Sequence, residues 1–205
     1  MAMQDPRTDQ IAREAARLFE TDRADSIRQA IRAAADALGF SDAQLPGHGR
    51  VRMHAQGMSM QALGDGGYAE SVREVWRAAE RLMTVLAEAT PAIEPLLVGR
   101  AAKGQIDAGV TLHIRAYTRS PIEALARLLV EFGYGEPAFE TVTTKLGRLS
   151  RMRLDDDGIE IVVTRCLPDM ARRSQLDLFT GRPIKTVTLA AVRGLLGAGE
   201  HYGQV

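Results

Sequence analysis

Apolar side chains recur at three- and four-residue intervals from Ile11 to Leu86, then fall into short continuous runs after Glu94. The first pattern predicts helices and the second predicts strands. Ile11, Ala15, Leu18 and Phe19 mark a helix ending near Glu20, with Thr8 or Asp9 as its cap and residues 1–7 as a loose tail. Ile27, Ala30, Ile31, Ala34 and Leu38 line one face of a second helix, capped by Asp25 or Ser26 and stopped by a left-handed Gly39. Pro46, Gly47 and Gly49 make residues 41–50 a turn-rich link. Val51, Ala55, Met58 and Ala62 form a weaker helical stripe, and Gly64-Asp65-Gly66-Gly67 predicts a break. The strongest stripe, Val72, Val75, Trp76, Ala79, Leu82, Met83 and Leu86, predicts a helix from about Tyr68 to Ala89 that Pro91 and Pro95 end.

Leu96 to Gly99 reads as a buried strand and Val110 to Tyr117 as a second. Ser120 is expected to cap a helix with Pro121 at its first position, Ile122, Leu125, Ala126, Leu129 and Val130 facing inward, and Gly133 ending it. Ala138 to Thr144 alternates as a strand, and Leu149 to Leu154 joins Ile159 to Arg165 through the hairpin turn Asp155-Asp156-Asp157-Gly158. Residues 167–185 read as irregular, and Thr188 to Leu196 as a short final helix. This order predicts an α+β protein, with a helical region over residues 1–92 packed on a small mixed sheet within residues 93–205.

Acidic and basic side chains balance at 26 each, so no net basic field favours nucleic acid. Lys145, Arg148, Arg151 and Arg153 lie close together, but no aromatic side chains interleave with them to stack bases. A solvated strand face is the expectation there, and likewise at Arg172-Arg173. The single cysteine, Cys166, excludes an internal disulfide and a thiolate metal cluster. It reads either as a thiol activated by Arg165 or as a small apolar filler. No apolar run approaches the roughly 20 residues that cross a bilayer, and the first ten residues lack the apolar core of a secretory signal. A cytoplasmic protein with no membrane partner is expected. The alanine-rich helices with Met53, Met58 and Met60 offer a surface for a protein partner or a second copy, or they pack a core.

Candidate chemistry gathers at Gly99-Arg100-Ala101-Ala102-Lys103-Gly104. A glycine just past a strand lets backbone N–H groups turn toward an anion, and Arg100 and Lys103 add charge; the other reading of the same spacing is a tight strand-to-strand turn with solvated charges. Gln105 and Ile106 follow Gly104, so the GxxxxGK[ST] order of a P-loop is absent, and so is GxGxxG. These absences argue against a Walker-type ATPase, an ATP-dependent ligase of the P-loop kind and a Rossmann dehydrogenase. His113 reads as a general base oriented by Glu160 if their strands are neighbours, or as a half-buried histidine satisfied by backbone. His48, His54 and His201 show no ligand spacing.

Val98-Gly99-Arg100, then Gly104, then Val110-Thr111-Leu112-His113-Ile114 resembles the signature of the nucleotidyltransferase fold, the DNA polymerase beta superfamily. That signature is a strand ending in Gly-Ser, a second glycine, and a strand bearing Asp-x-Asp. The stretch Ile11 to Leu18, Leu38-Gly39, Leu45-Pro46 and the strand pair are similar to those of a group of uncharacterised bacterial proteins with that domain. The resemblance implies a nucleotidyltransferase-like domain that binds a nucleotide or other phosphate ligand at Gly99, Arg100, Lys103 and Gly104. In active members the Asp-x-Asp and a third carboxylate hold two magnesium ions. Here those positions are Thr111 and His113, and the serine position is Arg100. Neither threonine nor neutral histidine replaces a carboxylate for a hard cation. The resemblance therefore implies a degenerate metal motif and a phosphate-binding pseudoenzyme. Mg2+ enters only if catalysis is retained, with Asp107 and Glu160 as metal ligands and His113 and Glu160 as the catalytic pair. The alternative is a non-enzymatic interaction module whose degenerate site is scaffold.

Overall fold

Asp5, rather than Thr8 or Asp9, caps the first helix. Its side chain accepts from the Arg7 N–H, and Pro6 takes the first helical position, where no N–H is needed. In this computed structural model, which describes residues 5–89, 93–107 and 111–200, α1 spans Pro6–Glu20, α2 spans Ile27–Ala37 and α3 spans His48–Ala89. Ser26 caps α2 by accepting from the Gln29 N–H at 3.2 Å. Gly39 adopts φ +69° past its end, and the Phe40 N–H returns to the Ala35 carbonyl at 2.9 Å. In α3 only Gly64 leaves helical backbone (φ 65°, ψ 170°). The expected four-residue break is therefore a one-residue kink, because Asp65, Gly66 and Gly67 already belong to the next helical segment.

The chain divides into two compact units. One is Met1–Glu70 with Ile106–Ala108, and the other is Ser71–Gln105 with Gly109–Val205. In the first, Ile11 and Ala15 of α1, Ile27, Ala30 and Ala34 of α2, and Val51 and Ala55 of α3 form one buried cluster. Small alanine side chains let these helices approach closely, which compensates for the scarcity of aromatics.

The second unit holds the sheet. Its strands are β1 Glu94–Val98, β2 Thr111–Tyr117, β3 Ala138–Thr144, β4 Gly147–Asp156, β5 Ile159–Cys166 and β6 Thr186–Thr188. Their spatial order is β3-β4-β5-β2-β1-β6. β2 and β5 run parallel and the other neighbours run antiparallel. The expected mixed sheet and α+β class are thus present. Val110, expected to open β2, lies outside the described residues. α4, Ile122–Glu131, joins β2 to β3, and α5, Leu189–Glu200, follows β6. Pro121, not Ser120, is the boundary residue of α4, with an extended ψ of 156° and no side-chain cap. β6 escaped the sequence pattern because three residues carry no periodicity.

Side chains two apart on a strand share a face. Leu97, Leu112, Ile114, Met152, Ile161 and Val163 form a buried apolar core on one face. On the opposite face Leu96, Tyr117, Leu149 and Cys166 form a smaller cluster with Leu178, and Met170 packs against it. Beside that cluster the buried Arg115 donates through Nη1 to the carbonyls of Ser174 and Leu176, each at 2.9 Å. Residues 168–178 are thereby fixed over one end of this face. Polar side chains occupy the other end.

Candidate functional site

The β2–β5 register builds the polar end. Thr111 stands opposite Glu160 and His113 opposite Val162, so Thr111, His113 and Glu160 share one face, as expected. The Thr111 hydroxyl donates to Glu160 Oε2 at 2.7 Å, and Arg153 Nη1 donates to Oε1 at 2.7 Å. Arg153 Nη2 also lies 3.2 Å from Glu140 Oε1, which Arg151 Nη1 approaches at 3.5 Å. The Thr111 hydroxyl first, and the Arg153 guanidinium after it, hold the Glu160 carboxyl below the usual carboxylate range, against the opposing effect of burial. Glu160 therefore stays ionised, with a strong donor on each oxygen. Such a carboxylate is a weak base, and Arg153 already supplies the charge balance that a cation would bring.

β1 pairs antiparallel with β2, with Val98 opposite His113. Gly99 follows at φ +81°, and a Cβ there would lie 3.4 Å from His113 Cδ2. The imidazole thus rests against the Gly99 turn. Residues Ala101–Lys103 close a single 3-10 turn. The Lys103 and Gln105 N–H groups both return to the Arg100 carbonyl, at 2.8 and 3.1 Å, and the Gly104 N–H returns to Ala101 at 3.0 Å. These three N–H groups are spent inside the turn and cannot turn toward an anion. Trp76 Nε1 donates to the Ala101 carbonyl at 2.8 Å and clamps the turn from α3.

Asp107 falls in the other unit, where its fully buried carboxylate lies 3.4 Å from Arg52 Nη1. Glu160 and Asp107 are each engaged by an arginine. Among the described residues no group of three or more His, Cys, Asp or Glu side chains is placed to hold a metal ion.

Sequence spacing missed Arg153 as the partner of Glu160, and Glu140 as a second carboxylate on Arg153. The signal was present in the turn: Asp157 and Gly158, both at positive φ, pair Asp155 with Glu160 and so bring Arg153 diagonally beside it. The basic run is also split by strand alternation. Arg151 and Arg153 take the polar face, Arg148 alternates away from them, and Lys145 sits in the β3–β4 turn. The Arg151 guanidinium stacks 5.0 Å from the Phe179 ring centroid.

Cys166 is the filler, not the activated thiol. Burial pushes it up to about 11, and the Arg165 guanidinium is spent on the Ser120 and Arg119 carbonyls. In the helical unit, His54 Nε2 lies 3.1 Å from Asp9 Oδ1, and Arg13 and Arg50 flank the same carboxylate at 2.9 and 3.3 Å. Among the described residues no helix is long and apolar enough to cross a membrane. No protein-family model matches the chain, and no curated protein matches it closely enough to lend it a family.

Proposed function

We propose that this is a nucleotidyltransferase-like protein that binds a nucleotide or other phosphate ligand without metal-dependent transfer. One observation carries the reading. The carboxylate that would take the third metal-ligand position, Glu160, is saturated by Thr111 and Arg153 beside the His113–Gly99 contact. A guanidinium standing where the resemblance would put a cation favours phosphate recognition by arginine over two-metal chemistry. Lys103 is exposed on the Gly99–Gly104 turn, and a buried free thiol at Cys166 suits a reducing cytoplasm.

The test is a thermal-shift series with nucleoside triphosphates, each with and without Mg2+ and Mn2+. The expected outcome is a rise in Tm that needs no metal, by mass action on the folded state. Arg100→Ala with Lys103→Ala is expected to diminish the rise while the circular dichroism stays native. A rise that requires metal would restore the transferase reading. No rise at all would favour the second reading, an interaction module. That reading draws on Leu45, Met53, Met60 and Leu63 of the helical unit, which stay 41 to 59% exposed.

A further inference from the structure

Lys145 and the pair Arg172-Arg173 are distant in sequence but line one open cleft of about 570 Å³. The β3–β4 turn brings Lys145 and Leu146, and the 3-10 helix Pro168–Arg173 brings the two arginines with Asp169 and Met170. Three cations therefore face a single carboxylate. Leu146 and Met170 are half-buried and pack against the cluster around Tyr117 and Cys166, which gives the cleft an apolar footing.

The cations are set on a fixed base. Lys145 Nζ donates to the Thr180 carbonyl at 2.8 Å, and its backbone N–H donates to Leu178 at 2.9 Å. Its stem lies over Gly181, where φ is +68° and a Cβ would come within 3.2 Å of Lys145 Cδ. Two ammonium hydrogens remain for a ligand. Asp177 Oδ1 gathers the N–H groups of Phe179 and Thr180 and the Thr180 hydroxyl, and so shapes the loop that holds Lys145. On the other wall, Arg115 secures the Ser174 and Leu176 carbonyls just after the 3-10 helix. Arg172 and Arg173 are exposed, and neither takes part in an ion pair among the described residues.

We propose that this cleft is a second anion site, for a small molecule bearing a diphosphate group that bridges Lys145 and the Arg172–Arg173 pair. Arginine forks meet phosphate oxygens two at a time, and the lysine adds a compact charge. The volume falls within the range of small-molecule sites. Cations on two separate elements suit two linked phosphates better than one. No aromatic side chain lines the cleft to stack bases, which argues against single-stranded RNA. None of the lining residues belongs to the Glu160 site or to the Gly99 turn.

Isothermal titration of the full chain with pyrophosphate, with ADP as a parallel arm, tests this. Wild type is expected to bind pyrophosphate, and Arg172→Ala with Arg173→Ala is expected to weaken binding by at least about tenfold. Lys145→Gln, which keeps the stem, is expected to weaken it comparably. In the Arg100→Ala/Lys103→Ala background, where the Gly99 turn contributes nothing, pyrophosphate is expected still to bind, and adding Arg172→Ala with Arg173→Ala is expected to abolish that binding, which separates this site from the Gly99 turn. ADP binding that exceeds pyrophosphate and falls in the same variants would support the site and identify a nucleotide as the diphosphate source. Equal affinities would support it with free diphosphate as the source. Absence of pyrophosphate binding at millimolar concentration would overturn the proposal, as would equal binding by wild type and the arginine variant. An RNA oligonucleotide that binds through these residues while pyrophosphate does not would also overturn it.

Discussion

Gly104 shows how much of the candidate site hangs on one backbone position. Its φ of +68° is in the left-handed region, and a Cβ there would sit 3.3 Å from Trp76 Cζ2. Gly104→Ala thus combines left-handed strain with a contact that moves the indole clamping Ala101. A loss of about 1–2 kcal/mol is expected, read as a lower urea midpoint, with altered emission from Trp76. An unchanged midpoint would show that the turn relaxes freely. The sequence made Gly99 and Gly104 legible as turn residues, because glycine at such spacing after a strand has few other uses. It also made the meeting of Thr111 with Glu160 legible, given neighbouring strands. Trp76 was legible only as part of a helical stripe. Its indole N–H bond to Ala101 spans 25 residues and leaves no local trace.

At the scale of elements, the helices with strong stripes and the β4–β5 hairpin were read from the pattern, because periodicity and a positive-φ turn are local properties. Caps moved by a few positions, since Asp5 and Pro121 compete with nearby residues of similar propensity. Residues 167–185 were legible only as irregular, because what fixes them is Arg115, a side chain on a central strand 59 and 61 residues before its two acceptors in the sequence. That dependence is testable. Arg115→Met removes the donor from two part-buried carbonyls, a net loss of about 0.5–1.5 kcal/mol for each bond. The segment rather than the sheet should loosen. Hydrogen exchange is expected to speed up at the Asp177 and Ile184 N–H groups, which bond to Arg182 and Gln175. Trypsin is expected to cut sooner after Arg172 and Arg173. Arg148→Met, at an exposed position on β4 of the same sheet, serves as the control and should change neither. Loss of protection across β2 and β5 as well would mean that Arg115 supports the sheet itself.

Across the whole molecule, the change of pattern at residue 93 marks where helices give way to strands, whereas the divide between compact units lies upstream at Glu70. Val72 and Trp76 of α3 pack on the Gly104 turn and so fall with the sheet. The two units also differ in their titrating groups. In the helical unit, Arg7 lowers Asp5, His54 lowers Asp9 and Arg17 lowers Glu14. In the sheet unit Glu160 is lowered, and so is Asp177, where burial pushes upward most strongly of any one effect but the hydrogen bonds from Thr180 and Phe179 together outweigh it. Each depressed carboxyl contributes stability that is full above the ordinary carboxylate range near about pH 4 and is lost as pH falls through its folded value. Both units should therefore weaken in acid. The groups raised within reach of ordinary alkali, Tyr117, Tyr134 and Cys166, all lie in the sheet unit, and burial raises each of them. Their contribution is full below the unfolded values and is lost as pH climbs through the folded ones. For Cys166 that window runs from 9.0 to about 11. The only tryptophan, Trp76, reports on the same unit. Its urea midpoint is expected to stay level from about pH 6 to 8 and to fall between about pH 9 and 11. Cys166→Ala should make that fall shallower without moving the acid limb. A Trp76 midpoint that held constant through the alkaline window would mean that the thiol and the two phenols titrate alike in the folded and unfolded chain, and that the sheet unit owes nothing to their burial as neutral groups.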